Sequence, residues 1–243
     1  GRRRNTNYSA KIDFDILENL TATVNTGQQF ENNFNGKYFS RNSLFVGQNR
    51  GGLAERYTDD DLFTLAEGYL TYHKYGDKAT WNLVAGFSYQ EDQFESFSAQ
   101  LGNFPNDELG YNAIGYSADI IAGLPNLIDI TSTNSPVNTI TAGFVRGSVN
   151  LDDVVTFNVS VRRERSNKLG ANQQTGTFPA IGANLDVSRL LPDLRLGRLN
   201  MRLGYGITGS IPAAYGLAND LFDYTLSGGG MVFKRRDANP DLK

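Results

Sequence analysis

Three places in this sequence carry residue types and spacings that invite chemistry. Gly204, Gly206 and Gly209 in "RLGYGITGS" have the G-x-G-x-x-G spacing of a dinucleotide-binding loop. His73 is the one histidine, and a general base of that kind needs a nucleophile and an orienting acid beside it. The run "YTDDD", Tyr57 to Asp61, supplies oxygen ligands of the kind calcium takes. Each requires a scaffold that the surrounding sequence lacks. A dinucleotide loop opens a helix whose N-terminus holds the pyrophosphate, with an acid about 20 residues on. Here "SIPAAYGLAND" follows, in which Pro212, Gly216 and Asn219 break a helical period, and "LSGGGM" stands where the acid is needed. His73 ends a run of alternating residues beside Lys74 and reads as a solvated rim histidine. "YTDDD" lacks the spaced Asp/Asn/Gly pattern of a calcium loop and reads as solvated. The chain is therefore expected to be no enzyme, with no catalytic, cofactor or metal residue.

Composition narrows the classes further. The 243 residues include 12 Tyr, 15 Phe and 26 Gly but 2 Met and no Cys, a profile that favours strands and excludes disulfides and thiolate metal sites. The net charge of -3, with "RRR" at Arg2–Arg4 and the scattered "RRER" at Arg162–Arg165 as short basic runs, argues against nucleic acid. No apolar run approaches the roughly 20 residues of a membrane helix, so any membrane crossing is made by strands.

The elements that must position these residues show a period of two. Tyr8, Ala10, Ile12, Phe14 and Ile16 alternate with Ser9, Lys11, Asp13 and Asp15, and after a turn near Glu18 the alternation resumes at Leu20, Ala22 and Val24. Ala66, Gly68, Leu70 and Tyr72 run to "YGDK", and Trp81, Leu83, Ala85, Phe87 and Tyr89 return. Val145, Gly147, Val149 and Leu151 run to a turn at Asp152, and Val155, Phe157, Val159 and Val161 return. Ile181, Ala183, Leu185 and Val187 lead to a turn near Pro192, and Leu199, Met201, Leu203, Tyr205 and Ile207 follow. Gly204 and Gly206 thus fall on the polar face of a strand, and Gly209 begins the loop after it.

Short turns near Glu18, Gly76, Asp152 and Pro192 alternate with long segments at about Asn35–Asp61, Ser98–Val137, Asn167–Gly176 and Ser210–Leu221. Short turns on one rim, long loops on the other and one apolar face per strand are the pattern of outer-membrane barrels. The face opposite the apolar one carries Lys11, Asp13, Asp15, Glu67, Arg146, Arg162 and Arg202, charges that a dry core does not accept and a wet lumen does. The apolar set Val155, Phe157, Val159 and Val161 is expected to face lipid. The long segments, rich in Tyr, Phe, Asn and Gln as in "GQQFENNFNGKYF", are expected on the cell exterior, either as ordinary extracellular loop composition or as a ligand entrance where rings stack on sugars and amides bond hydroxyls.

The run Gly143 to Ser188 resembles the barrel core of the SusC/RagA-like TonB-dependent outer-membrane transporters. The resemblance rests on Arg146, Ser160, Arg162, Ser166, Gly170, Gly176, Phe178 and Pro179, which fall in order in the family pattern. "LNMRLGYGITGS" is similar to the family's strand and turn, with Ser210 in place of Asn, and "ANPDLK" is similar to the segment that introduces the next strand. Glu164 stands where the family has Asp, and Leu169 where it has an aromatic.

The resemblance covers about Asn138 to Lys243, with residues before it fitting the same barrel by period alone. It implies an all-β, antiparallel transmembrane β-barrel segment of about eight or nine strands within a plugged barrel of about 22. Residues 1–243 are then expected to form one partial barrel domain, with the plug and the remaining strands absent. The implied function is TonB-dependent uptake of a large nutrient, an oligosaccharide or peptide fragment, across the bacterial outer membrane. The implied partners are a SusD-like surface lipoprotein and TonB-ExbB-ExbD. The competing expectation is a small closed barrel, for which about eight strands suffice, or an extracellular structural or adhesive all-β protein.

Overall fold

A computed structural model describes residues 1–44, 46–108, 110–123, 127–191, 197, 199–212, 216–227 and 230–242, and for 221–236 the backbone alone. The alternating runs form strands throughout. They are β1 (Arg2–Leu17), β2 (Leu20–Phe39), β3 (Leu53–Tyr75), β4 (Ala79–Gly102), β5 (Asp129–Asn134), β6 (Asn138–Leu151), β7 (Val155–Ser166), β8 (Thr175–Asp186) and β9 (Asn200–Gly206). Together they make one nine-stranded sheet in the order β1-β2-β3-β4-β6-β7-β8-β9, with β5 paired to β4 off that path. Apart from β5, neighbours in sequence are neighbours in the sheet, as a meander requires. β1 and β9 are not paired to each other, so among the described residues the sheet is open rather than a small closed barrel.

The chain divides into two compact units, Gly1–Tyr8, Gln28–Phe63 and Asp92–Val137 in the first, and Ser9–Gly27, Thr64–Glu91 and Asn138–Lys243 in the second. In the second unit the register of β6, β7, β8 and β9 puts the apolar residues in rows. Gly147 pairs with Val159, Val159 with Ile181 and Ile181 with Tyr205, while Val149, Phe157, Ala183 and Leu203 form the next row. This apolar face is the exposed one, Val159 being 58% and Ile181 61% accessible. On the opposite face Ser160, Arg162 and Asn184 are half-buried, and Ser88 on β4 and Thr23 on β2 keep 1% and 4% of their surface. That polarity is inverted relative to a water-soluble sheet, and it is stable where the exposed face meets hydrocarbon.

The turns follow local chemistry. Glu18–Asn19 and Gly76–Lys78 close two hairpins, and Asp152 and Asp153 close a third at φ of 50° and 55°, a left-handed region that Asp tolerates better than most residues. Asp186 caps the short helix of Val187–Leu190 by accepting from the Ser188 and Arg189 amides. The turn expected near Pro192 lies outside the described residues.

Two expectations about the long segments need correction. Most of Asn35–Asp61 is strand, since β2 runs to Phe39 and β3 starts at Leu53, which leaves only the connection 40–52. Ser98–Val137 likewise contains the end of β4 and all of β5. Period two fades there, because these strand ends are polar and aromatic on both faces. A further hairpin, β10 (Leu221–Ser227) with β11 (Gly230–Arg236), forms a separate two-stranded sheet that the alternation did not announce. Its base is tied by the Ala238 amide donating to Asp220 at 3.0 Å. Asn239–Leu242 then lies along the β7–β8 connection, with the Gly170 amide donating to the Leu242 carbonyl at 3.0 Å and the Asn172 amide to the Pro240 carbonyl at 2.9 Å.

Arginine at Val159, in the middle of the apolar face, is expected to cost ~2–4 kcal/mol of folding free energy in bilayers, and arginine at Ser160, one residue on, much less. Denaturant titration of the full-length protein in lipid vesicles measures both, and equal costs would show that the two faces are wrongly assigned.

Candidate functional site

The polar face of the second unit is knit by side chains that adjoining strands bring together. Lys11 pairs with Asp13 at 2.9 Å, and Asp13 also accepts from Thr23 at 2.6 Å. Thr21 donates to Asp15 at 2.8 Å, and Asn25 makes a long contact of 3.5 Å to Glu67. Arg162 is ion-paired to Glu164, donates to buried Ser88 at 3.2 Å and lies 5.9 Å from the centre of the Phe144 ring. Cross-strand register places Phe144 on one side of Arg162 and Phe178 on the other. Such an arginine is held by a carboxylate, a hydroxyl and a ring face together.

Glycines make room for these aromatic rings. A Cβ on Gly209 would stand 2.6 Å from the Phe178 ring, and one on Gly86 would stand 2.8 Å from that of Phe144. The G-x-G-x-x-G spacing therefore serves packing: Gly204 and Gly206 pair in register with Gly182 and Ala180, and Gly209 admits Phe178. Glu67, Tyr69, Phe144, Arg146, Arg162 and Phe178 line a cavity of about 550 Å³. Of the seven charged residues singled out in the sequence, Glu67, Arg146 and Arg162 converge on this cavity, and Lys11, Asp13 and Asp15 take part in separate local pairs. Arg202 stands on β9, across from Asn184, and among the described residues joins none of them.

In the first unit a small core of Ala54, Leu101 and Phe104, with Tyr38, Tyr111 and Ile114 against it, orders the connections. In the same unit Asp119 is fully buried in the helical turn α2 (Ala118–Ile121), which follows α1 (Val46–Asn49) in the chain. Arg50 pairs with Asp119 at 2.8 Å and donates to the Leu127 carbonyl at 2.7 Å. The Gly102 amide donates to Asp119 at 2.9 Å, and the Asn103 side chain donates as well. Burial alone raises the Asp119 carboxyl, but the hydrogen bonds from Arg50, Gly102 and Asn103 and the guanidinium charge outweigh it and hold the group below its usual range. Sequence reading missed this pair, because nothing local in "QNRGG" or "YSADI" links residues so far apart. The one local sign was Ser117, which caps α2 by accepting from the Asp119 amide.

The remaining candidates, "YTDDD" and His73, have local partners. In "YTDDD", Asn33 donates to Asp59 at 2.7 Å and Asn32 to Asp60, so amides occupy these carboxylates. Among the described residues no group of three or more His, Asp or Glu is arranged to hold a metal ion. His73 stacks on Tyr75 at 6.5 Å between ring centres, and its backbone amide bonds the Asn19 carbonyl. A second cavity, of about 580 Å³, is lined in the first unit by Asn35, Lys37, Glu55, Tyr57, Gln100 and Asp129 among others.

The solved RagAB peptide transporter superposes on 99% of this chain with a TM-score of 0.83, at 17% identity, the match covering 26% of that chain. By fold the chain is a segment of an antiparallel β-barrel wall like that of RagAB, and in sequence it is similar to TonB-dependent receptors. RagAB in its closed-closed state matches the barrel segment with a TM-score of 0.80 and 18% identity, again over 99% of this chain and 26% of that one. TonB-dependent receptor P3 of Formosa agariphila is 27% identical over 202 residues, 81% of this chain and 19% of that receptor. TonB-dependent receptor P39 of the same organism is 27% identical over 152 residues, 59% of this chain and 14% of that receptor. No protein-family model matches the chain. The barrel segment spans about a fifth of the first of these receptors and a quarter of the solved chains. Its place is the bacterial outer membrane.

Replacing Arg50 by Ala leaves Asp119 a buried, unpaired carboxylate. The expected loss is about 3 kcal/mol, the lower end of the range for broken buried pairs, since Arg50 keeps 25% of its side chain in solvent. Limited proteolysis within 103–128 of the full-length protein reads it. Because the folded Asp119 pKa is lowered, its contribution is fully present above the unfolded carboxylate value near ~3.9 and is lost as pH falls through the lower folded value. Protection that does not weaken as the medium is acidified below about pH 4 would contradict this role.

Proposed function

We propose that this chain forms part of the wall and outer connections of a TonB-dependent receptor that imports a large nutrient, a glycan or peptide fragment, across the outer membrane. The observation that carries the reading is the inverted sheet, apolar side chains exposed and charged ones gathered on the opposite face. In the proposal residues 1–243 are one part of a barrel domain, and the polar face with Lys11, Asp13, Asp15, Glu67, Arg146, Arg162 and Arg202 lines the lumen. The connections 40–52 and 103–128 stand on the cell exterior, where the knot of Arg50 and Asp119 keeps them shaped for an incoming ligand. A SusD-like lipoprotein delivers that ligand, and TonB-ExbB-ExbD supplies energy through another part of the receptor. The naming of RagAB as a peptide transporter supports a peptide as one of the two cargo classes.

Protease added to intact cells that express the full-length receptor is expected to cut within 103–128 and to spare the turn at Asp152. Cutting at Asp152 with 103–128 protected would reverse the topology. A knockout strain with unchanged uptake of labelled oligosaccharides and oligopeptides would remove the transport reading.

A further inference from the structure

Among the described residues, the polar-face charges of the second unit have partners with two exceptions, Arg146 and Arg202. Lys11 has Asp13, and Arg162 has Glu164, Ser88 and the Phe144 ring. Arg146 is exposed and, among the described residues, has no hydrogen bond, ion pair or ring partner. Its lack of a partner is not an edge effect. β6 lies within the sheet between β4 and β7, and the residue directly across on β7 is the small Ser160. Arg202 differs in this respect, because β9 ends the path. Arg146 also borders the cavity of about 550 Å³, a size within the range of small-ligand sites.

We propose that Arg146 is an anion-recognition residue of this cavity and that the group it takes is a carboxylate carried by the transported oligomer. This rests on the transport reading above and narrows its substrate class. The guanidinium fork matches a carboxylate with two parallel N–H donors. Glu67, on the same cavity with only one long contact to Asn25, disfavours a doubly charged phosphate and accepts from a hydroxyl or ammonium of the same ligand. Phe144, Phe178 and Tyr69 add ring surfaces for an apolar stretch or a sugar face. Arg162, fixed by Glu164 and Ser88, keeps one wall rigid while Arg146 remains available.

A carboxylate of this kind comes from an acidic peptide or from a uronic-acid oligosaccharide, and binding to the purified full-length receptor separates the two. Calorimetry is run at low and high salt with a Glu-rich peptide, its Gln counterpart, an oligouronate and the corresponding neutral oligosaccharide. At least one acidic ligand is expected to bind tenfold or more tightly than its neutral partner, with the preference shrinking at high salt. Arg146→Ala is expected to erase the preference while leaving neutral-ligand affinity and thermal stability unchanged, and Arg146→Lys to restore part of it. The arm that shows the preference names the source. Equal binding of acidic and neutral ligands by the wild type overturns the assignment and leaves the transport reading standing. A lowered melting temperature in Arg146→Ala without any change in preference overturns it in favour of an internal ion pair in the full-length protein. A receptor that binds and imports none of the four sinks both readings.

Discussion

Backbone hydrogen bonding in hydrocarbon is the constraint on which this molecule depends. A strand whose outward face meets lipid cannot borrow a partner for its N–H and C=O groups from water, so each strand must lie beside another along its membrane-spanning length. Meander order, short turns at Glu18, Gly76 and Asp152, and regular antiparallel register between β6, β7, β8 and β9 all serve that requirement. The same constraint gives the open order its meaning. Among the described residues the outward edges of β1 and β9 have no strand paired to them.

Once the backbone is paired, side chains are free to invert the usual polarity. Alternation sends Val159 and Ile181 to one face and Ser160 and Arg162 to the other, and the sheet needs no dry core beneath it. The polar face becomes a surface on which charges must be balanced among themselves or left for something else. Lys11 with Asp13 and Arg162 with Glu164 are balanced; among the described residues Arg146 is not. The aromatic rings near Arg162 are seated by glycines, which ties the packing of this face to backbone positions that admit no side chain.

The first unit obeys a different economy. Its connections leave the sheet and must satisfy their own polar groups, and they do so around Asp119, which gathers donors from Arg50, Gly102 and Asn103. A buried carboxylate with that many donors gives a long connection a defined shape without a large apolar core. Leu101, Phe104 and Ala54 supply the small core that excludes water from it.

The sequence by itself determined the all-β class, the strands with strong alternation, most turns and the division into apolar and charged faces. Those properties depend on residues two apart or on four-residue turns, so the information is local. It also carried, through the ordered motifs from Arg146 to Pro179, the likeness to the SusC/RagA group. Only the tertiary structure decided that β2, β3 and β4 extend through segments with no clear alternation, because pairing along a neighbouring strand there outweighs the local pattern. It alone united Arg50 with Asp119, and Arg162 with Ser88, across separations of 69 and 74 residues. Such contacts depend on strand register and chain reversal, which put distant residues side by side. A one-residue slip would exchange every face, and with it the partner of every charge.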